Sequence, residues 1–269
     1  MLLKPFLKWA GGKTRLLPEL LKYVPVRYND YIEPFLGGGA LYFRLCPDAA
    51  RLSDSNIHLV NTYVVIKYSH RILMSLLSEM KNNKEEYGII AAKIKHHREC
   101  VSASNFIYLN KTGFNGLYRE NKNGQYNVPW GKYKNPMLYD RKNIELVHDV
   151  LNRNFQYIKC QDFREALASC NCGDFIYADP PYHGGFTAYT AAGFTEQDQT
   201  DLAQVCANLA TKGCHVLASN SNTDFVKQLW GQYECFDLHE VDAPRSINCD
   251  GTGRKKVKEL IITNISRKE

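Results

Sequence analysis

The chain has 269 residues, of which 44% are hydrophobic and 23% are charged, and its formal net charge is +6. These proportions are ordinary for a globular protein, and the length suits one large domain or one domain that carries an insertion. The mild positive charge is compatible with a nucleic-acid partner but does not require one. No run of about 18 apolar residues and no signal-peptide core occurs, so we expect a cytoplasmic protein without a membrane span.

The nine cysteines contain no C-x-x-C pair, and together with the eight histidines they show no spacing typical of zinc ligands. We therefore expect reduced thiols and no bound metal.

The first motif, residues 6–14, ends in Gly-Lys-Thr, as a phosphate-binding P-loop does. The P-loop pattern G-x-x-x-x-G-K-[ST] needs another glycine where this chain has Leu7, which argues against an NTPase. Trp9 and Lys13 flank a tight glycine turn before a helix. They are either core and surface residues or residues that face a ligand.

A short apolar strand from Tyr31 leads into a glycine-rich turn at residues 37–39, and a second strand, residues 51–54, ends in Asp54. Glycines after a strand let the backbone approach a ligand. Asp54 lies 15 residues after Gly39, close to the spacing at which an acidic residue binds a ribose hydroxyl in βαβ nucleotide sites. The alternative is that Asp54 only caps the following helix. The turn does not fit the G-x-G-x-x-G fingerprint of a nicotinamide dehydrogenase.

The region from residue 56 to about residue 97 has a helical pattern. Apolar residues from Leu59 to Leu77, including Ile72, recur at helical intervals, and polar residues 81–86 break the pattern. A basic cluster at residues 93–98 is either a solvated helix face or a phosphate-contacting one.

Residues 106–131 interleave aromatic residues with Lys, Arg and Asn, and Asn123-Gly124 is a hairpin signal. This composition suits base stacking and base-edge readout. The alternative is a tightly packed loop with structural Asn and Gly.

The C-terminal part contains four further predicted strands, two of which end in acids. Residues 156–163 end near Asp162, and residues 175–178 are an apolar strand that stops at Asp179, because two prolines cannot continue a ladder. Residues 186–194 are expected to form a mobile loop. Helices are predicted at 196–211 and 225–230, and strands at 215–220 and 260–265. Basic residues lie at 245 and 254–256.

The sequence after the strand at residues 175–178, Asp179-Pro180-Pro181-Tyr182, suits methylation of an exocyclic amine. The Asp179 carboxylate and the Pro180 carbonyl can accept the two amine hydrogens, localise the nitrogen lone pair and stabilise the developing positive charge. Tyr182 can stack on the base. The alternative is a strand-end turn that contains Asp-Pro-Pro by chance.

These motifs together resemble the Dam family of DNA adenine methyltransferases over essentially the whole chain. The resemblance is carried by four blocks in the family's order, which are residues 6–13, 33–35 with the following glycines, 113–130 and 179–182. It implies an α/β fold with the Rossmann-like, seven-stranded sheet of S-adenosylmethionine-dependent methyltransferases. A helical DNA-recognition domain would be inserted into this fold. Residues 1–56 and 149–269 would form the catalytic domain and residues 57–148 the target-recognition insertion.

The resemblance also implies roles for individual residues. The catalytic group would be Asp179, Pro180 and Tyr182. S-adenosylmethionine would be bound by Trp9, Lys13, Phe35, Gly37, Asp54, Asp162 and Asp179. DNA would be bound by Lys8, Phe114, Asn115, Leu117, Arg119 and Pro129, with Phe114 as a wedge where a Tyr is common and Arg119 as the guanine contact.

The function implied is a monomeric, cytoplasmic enzyme, associated with the nucleoid through DNA, that methylates N6 of a flipped-out adenine in double-stranded DNA, at GATC. Such an enzyme can serve a restriction-modification system or stand alone. Three other interpretations remain open at this point, namely a cytosine-N4 methyltransferase, an RNA or protein amide methyltransferase, and a DNA-binding module without catalysis.

Overall fold

A computed structural model of the protein describes residues 3–94, 100–121, 123, 125–184, 193–243 and 257–268. The strands of this part of the chain are β1 (Tyr31–Glu33), β2 (Ala49–Asp54), β3 (Phe155–Cys160), β4 (Phe175–Ala178), β5 (His215–Ser221), β6 (Asp237–Ala243) and β7 (Val257–Thr263). They form one sheet in the order β3-β2-β1-β4-β5-β7-β6. The first five strands in this order are parallel, and β7 is antiparallel to both neighbours. The predicted seven-stranded α/β fold is thus confirmed.

The helices in the described residues are α1 (Leu17–Leu20), α2 (Ala40–Leu45), α3 (Ile57–Glu79), α4 (Lys84–Lys93), α5 (Cys100–Thr112), α6 (Arg141–Leu151), α7 (Phe163–Leu167), α8 (Glu196–Thr211) and α9 (Asp224–Gly231). Short 3-10 turns add Lys13–Arg15, Leu21–Tyr23 and Phe114–Gly116. None of the helices in the described part of the chain is long and apolar enough to cross a membrane.

The central parallel strands β1 and β4 are buried on both faces, as is usual when helices cover both sides of a sheet, whereas the edge strand β3 exposes Phe155 and Tyr157. In β4 all four residues are buried, and they alternate between two hydrophobic cores. Tyr177 faces the core that includes residues of α3 and α5, and Ile176 faces the core that includes residues of α7, α8 and α9. An uninterrupted apolar strand therefore suits this position, which explains why its sequence is easy to predict.

The order of the strands reverses between β1 and β4. From β1 the chain proceeds outward to β2 and β3, and from β4 it proceeds to β5 on the other side. In open α/β sheets, ligands bind in the crevice outside the carboxyl ends of the strands at such a reversal. The residues that follow β1 and β4 therefore occupy the position where a ligand site is expected.

The helices α3 to α6 are inserted between β2 and β3, and α3 packs against both α5 and α6. The predicted helical pattern is confirmed by α3, in which Leu59 is buried and Ile72 is 57% exposed. The backbone of Ser69 is not helical, with φ −144° and ψ 30°. This kink breaks the phase of the helix, and the residues buried beyond it are Leu73, Met74 and Leu77.

Several predicted boundaries differ from the structure. The strand expected at residues 156–163 ends at Cys160, and β7 begins at Val257 rather than at 260. The strand β6 was not predicted at all, since its sequence Asp-Leu-His-Glu-Val-Asp-Ala is polar for a strand. The predicted loop at 186–192, the histidines and basic residues at 95–98, Arg245 and the basic run at 254–256 lie outside the described residues.

Candidate active site at the carboxyl edge of the sheet

The predicted site residues follow four neighbouring strands at one edge of the sheet. The glycine turn follows β1, Asp54 ends β2, Asp162 follows β3 and Asp179 follows β4. Because these strands are parallel, their carboxyl ends meet at the same edge. The fold thus brings residues from distant parts of the sequence to one edge.

Asp179 lies at the centre of this edge and accepts two hydrogen bonds on one oxygen, Oδ1. Lys13 Nζ lies 2.8 Å from this oxygen, and the Ser219 hydroxyl of β5 donates to it at 2.7 Å. Burial raises the pKa of Asp179, while the Lys13 ammonium and the Ser219 hydroxyl oppose that rise. The two contacts fix the carboxylate in orientation and favour its charged form.

Lys13 reaches this position from the predicted glycine turn. Its ammonium donates to the Gly11 carbonyl at 2.5 Å and lies 4.5 Å from the centre of the Tyr182 ring. The side chain is only 8% exposed. Lys13 is therefore neither a surface lysine nor a P-loop lysine, because it pairs with a carboxylate and an aromatic ring.

The Asp-Pro-Pro-Tyr segment is held by buried polar side chains. Pro180 is buried, and the Pro181 carbonyl accepts from the Gln199 amide of α8 at 2.8 Å. Gln199 in turn accepts from the Asn220 amide of β5 at 2.9 Å. The Tyr182 hydroxyl donates to Glu259 of β7 at 2.8 Å, and burial raises the pKa of Tyr182 well above its usual range.

The glycine turn after β1 is shaped by Asp54 and Trp9. The Gly37 N–H donates to Asp54 Oδ2 at 3.0 Å, and the Asn56 N–H donates to Oδ1 at 2.9 Å. Gly37 has a φ of +47°, and a Cβ at this position would lie 2.8 Å from Trp9 Cδ1. A residue with a side chain would not fit between the turn and the indole ring.

The alternative interpretation of Asp54 as a helix cap is wrong. The cap of α3 is Asn56, whose side chain accepts from the N–H groups of His58 and Leu59 at 3.0 Å. Burial raises the pKa of Asp54, and the backbone N–H groups of Asn56 and Gly37 oppose that rise. Asp54 instead fixes the loop between β1 and α2.

Phe35 and Asp162 lie further along the edge. The Phe35 ring packs against Phe163 at 5.5 Å and Phe194 at 5.7 Å between ring centres. Asp162 is half-exposed, caps α7 by accepting from the Arg164 N–H at 2.8 Å, and pairs with the Arg164 guanidinium at 3.3 Å. The residue before Asp162, Gln161, donates its N–H to the Asp54 carbonyl at 3.2 Å, so the chain after β3 lies beside the end of β2.

Three residues at this edge have no role in the sequence prediction. Ser219 and Glu259 contact the predicted residues Asp179 and Tyr182 as described above. Glu33, at the end of β1, is fully buried and accepts from the Tyr31 hydroxyl at 2.8 Å. Burial, and to a smaller extent the nearby Asp179 and Asp54 carboxylates, raise the pKa of Glu33 well above its usual range. The signal available for Glu33 and Ser219 was their position near a strand's carboxyl end.

The predicted DNA-binding residues on the N-terminal segment and the loop after α5 come together on one surface. The Lys8 N–H donates to the Asn110 amide oxygen at 2.9 Å, and the Asn110 amide donates to the Lys8 carbonyl at 2.6 Å. The Lys8 ammonium lies 4.7 Å from the centre of the Tyr133 ring. The Tyr133 hydroxyl accepts from the Asn115 N–H at 3.1 Å, and Asn115 has a φ of +54°.

Phe114 and Pro129 also belong to this surface. The Phe114 N–H donates to the Pro129 carbonyl at 2.9 Å, and Phe114 is 43% exposed. Leu117, in contrast, is partly buried against the hydrophobic core. Trp9 connects the two regions, because its ring also stacks on Tyr118 with 6.5 Å between ring centres.

Arg119 extends from the same segment and is oriented by Asn127. Its Nε donates to the Asn127 side-chain oxygen at 2.7 Å and its Nη2 to the Asn127 carbonyl at 3.1 Å. An antiparallel bridge between Glu120 and Tyr126 reverses the chain here, in agreement with the predicted hairpin. Gly124 itself lies outside the described residues. Among the described residues, no group of three or more His, Cys, Asp or Glu side chains could hold a metal ion.

The seven-stranded sheet with its antiparallel last strand, together with Asp-Pro-Pro-Tyr at the end of β4, defines a Rossmann-like methyltransferase. Residues 9–247 match the family model of the D12 class N6 adenine-specific DNA methyltransferases. The chain belongs to this family.

Relatives of the chain include type II methyltransferases and DNA adenine methylases. The chain is 38% identical to the type II methyltransferase M1.LlaDCHI of Lactococcus lactis subsp. cremoris, over 97% of this chain and 95% of that protein. It is 38% identical to the type II methyltransferase M.MjaIII of Methanocaldococcus jannaschii, over 98% of this chain and 100% of that protein. It is 34% identical to a DNA adenine methylase of Vibrio cholerae, over 96% of this chain and 95% of that protein. The resemblance to the Dam family and the prediction of an adenine-specific DNA methyltransferase are thus confirmed.

Proposed function

We propose that the protein transfers a methyl group from S-adenosylmethionine to N6 of an adenine that is flipped out of duplex DNA, at GATC. The observation that carries this proposal is the Asp179 carboxylate, held on one oxygen by Lys13 and Ser219 beside the ring of Tyr182. A poorly nucleophilic aromatic amine needs such oriented acceptors.

The residues at the edge of the sheet fit S-adenosylmethionine. Gly37 lets the backbone of the turn lie close to the Trp9 indole, where a Cβ would not fit, and the Asp54 and Asp179 carboxylates suit a cationic ligand. Trp9, Lys13, Phe35, Gly37, Asp54, Asp162 and Asp179 would hold the cofactor. When bound, it supplies a methyl group on a positively charged sulfur.

The chain's own residues would act on the amine. Asp179 and the Pro180 carbonyl accept the two hydrogens of N6, so the lone pair is localised and points toward the incoming methyl group. Lys13 and Ser219 keep the Asp179 carboxylate in place. Tyr182 stacks on the base. The adenine must leave the duplex stack, since its amine cannot be reached inside it.

The DNA would contact the surface around Phe114. Its half-exposed ring is suited to wedge between bases, and Lys8, Asn115, Leu117 and Pro129 would contact the adjacent DNA. Arg119 is held by Asn127, and an arginine in a fixed orientation suits the bidentate contact with guanine that GATC recognition needs.

We also propose the division of the chain into catalytic parts, residues 1–56 and 149–269, and a target-recognition insertion, residues 57–148. The insertion of α3 to α6 between β2 and β3 supports this division. We also propose that the protein acts as a monomer. A DNA substrate is consistent with action in the cytoplasm at the nucleoid.

The proposal is tested by methyl transfer from labelled S-adenosylmethionine to two duplexes, one with GATC and one with the site scrambled, followed by nucleoside analysis. We expect N6-methyladenine in the GATC duplex alone. The Asp179→Ala variant should transfer no methyl group but still bind DNA, and Asp149→Ala, on the exposed side of α6, serves as the control. Equal label in both duplexes would overturn the GATC assignment, and activity of Asp179→Ala would overturn the mechanism.

A further inference from the structure

Glu259 approaches the candidate site from a strand that runs in the opposite direction to those that carry the other residues. It is the third residue of β7 and pairs in register with Ser221 of β5. Because β7 is antiparallel to β5, the start of β7 lies at the carboxyl edge of the parallel strands. The direction of β7 therefore brings Glu259 to the same edge as Asp179.

The Glu259 side chain contacts the residue that is proposed to stack on the base. The Tyr182 hydroxyl donates to Glu259 Oε2 at 2.8 Å. Burial raises the pKa of Glu259, while the nearby Lys13 ammonium and the hydrogen bond from Tyr182 oppose that rise. Lys13 in turn lies over the Tyr182 ring and pairs with Asp179. Glu259 is thus the outer member of a connected group that ends at the proposed amine acceptor.

Tyr182 needs an anchor because of its place in the chain. It follows two prolines beyond the end of β4, and the hydrogen bonds of the Pro181 carbonyl and the His183 N–H hold its backbone but not its ring. A tyrosine ring is set by two side-chain torsions. A hydrogen bond from its hydroxyl restrains χ1 by holding the oxygen and χ2 by the direction of the O–H bond, which prefers the ring plane. A bond to a carboxylate is stronger than one between neutral groups. A stacking ring must be held in the plane of the base before the base arrives, since misplacement slows the reaction.

We propose that Glu259 is a positioning residue for methyl transfer, which acts by fixing the ring of Tyr182 in the orientation that stacks on the target adenine. This inference rests on the proposed function. Glu259 touches neither the amine nor the methyl group in this role. Its effect therefore passes through the Tyr182 hydroxyl, and removing either partner of the bond has the same consequence.

The test compares Glu259→Leu, Glu259→Gln, Tyr182→Phe and the double variant Tyr182→Phe/Glu259→Leu. Glu259→Leu and Tyr182→Phe should each lower kcat roughly tenfold or more, with KM for cofactor and DNA within about twofold. Glu259→Gln, whose amide oxygen still accepts from the hydroxyl, should recover most of the rate. The double variant should be no slower than either single variant, because each single substitution already removes the same hydrogen bond.

A second readout does not depend on turnover. A GATC duplex with 2-aminopurine at the target adenine fluoresces when the base leaves the stack, and stacking on Tyr182 quenches part of that signal. Glu259→Leu should change this quenching, and Glu259→Gln should not. The control is Glu240→Gln on the adjacent strand β6, where Glu240 pairs with Lys227 and Lys258 on the surface, and it should leave both readouts unchanged.

The outcomes separate this inference from the proposed function. If the wild-type protein methylates no DNA, the proposed function fails. If it is active but Tyr182→Phe equals the wild type, or the losses of the single variants multiply in the double variant, the positioning role of Glu259 is overturned and the function stands. The comparison remains decisive if Glu259→Leu fails to fold, because Tyr182→Phe and Glu259→Gln test the same bond.

Discussion

The ion pair between Lys13 and Asp179 allows a quantitative prediction. Its Nζ–Oδ1 distance is 2.8 Å, and the two side chains are 8% and 17% exposed. Asp179→Asn keeps the shape and an acceptor for Ser219 but removes the charge that faces the buried ammonium. Removing one partner of a buried pair costs about 3–5 kcal/mol, and the remaining exposure of Asp179 favours the lower end, about 3 kcal/mol.

The assay is thermal unfolding followed by circular dichroism, in a double-mutant cycle of Lys13→Met, Asp179→Asn and both together. For a chain of this size, a loss of about 3 kcal/mol lowers Tm by roughly 6–12 °C. The double variant should lose less than the sum of the two single variants, because it leaves no unpaired charge. The difference measures the coupling energy of the pair, and we expect about 2–3 kcal/mol.

The control cycle uses Lys22 and Glu19, a pair at the similar distance of 2.7 Å whose side chains are 34% and 37% exposed. Its coupling should be about 0–1 kcal/mol, as for other surface pairs. The comparison isolates burial, since the charges are of the same kind and the distances nearly equal. Additive losses at Lys13 and Asp179, or a coupling no larger than that of the surface pair, would refute the reasoning.

Three further predictions concern the same edge and the DNA-binding surface. The raised pKa of Glu33 means that the folded protein retains a proton that the unfolded chain releases, so the free energy of unfolding should fall as pH rises from the ordinary value of 4.5 through the folded pKa. Glu33→Gln should flatten this dependence in urea titrations between pH 5 and 8, and equal slopes would contradict the burial of a protonated carboxyl. Gly37→Ala should destabilise the protein by about 1–2 kcal/mol and weaken S-adenosylmethionine binding in calorimetry, because its Cβ would lie 2.8 Å from Trp9. The control Gly38→Ala, whose Cβ would lie 3.4 Å from the nearest atom, should be tolerated. Equal effects of the two substitutions would show that the turn is not constrained. Arg119→Ala should relax discrimination at one guanine by about 1–3 kcal/mol in competition assays with substituted duplexes, and unchanged specificity would remove Arg119 from the reading role.

Strands and turns whose signals are local can be predicted from the amino-acid sequence. The buried strand before Asp179 is uniformly apolar and stops at two prolines, and the glycine turn at Gly37 follows a strand. The four blocks in their order also identified the family, which the comparisons confirmed. These features could be predicted because a strand end, a proline pair or a glycine turn depends on adjacent residues.

The phase of α3 and the cap before it depended on details that periodicity does not carry. The kink at Ser69 changes which apolar residues of α3 are buried, so Ile72 is exposed. Two polar residues, Asp54 and Asn56, compete for the same local role at the helix start. The choice between them depends on the glycine turn, whose N–H group binds the carboxylate of Asp54.

The assembly of the site depends on the packing of distant segments and could not be predicted from local patterns. Ser219 and Glu259 contact Asp179 and Tyr182 from strands that lie 40 and 77 residues further along the chain. Lys13 could be a surface lysine until the fold places it beside Asp179. Such contacts depend on strand order and direction, which bring the start of antiparallel β7 to the ends of parallel β4 and β5, and neither order nor direction is encoded in a short stretch of sequence.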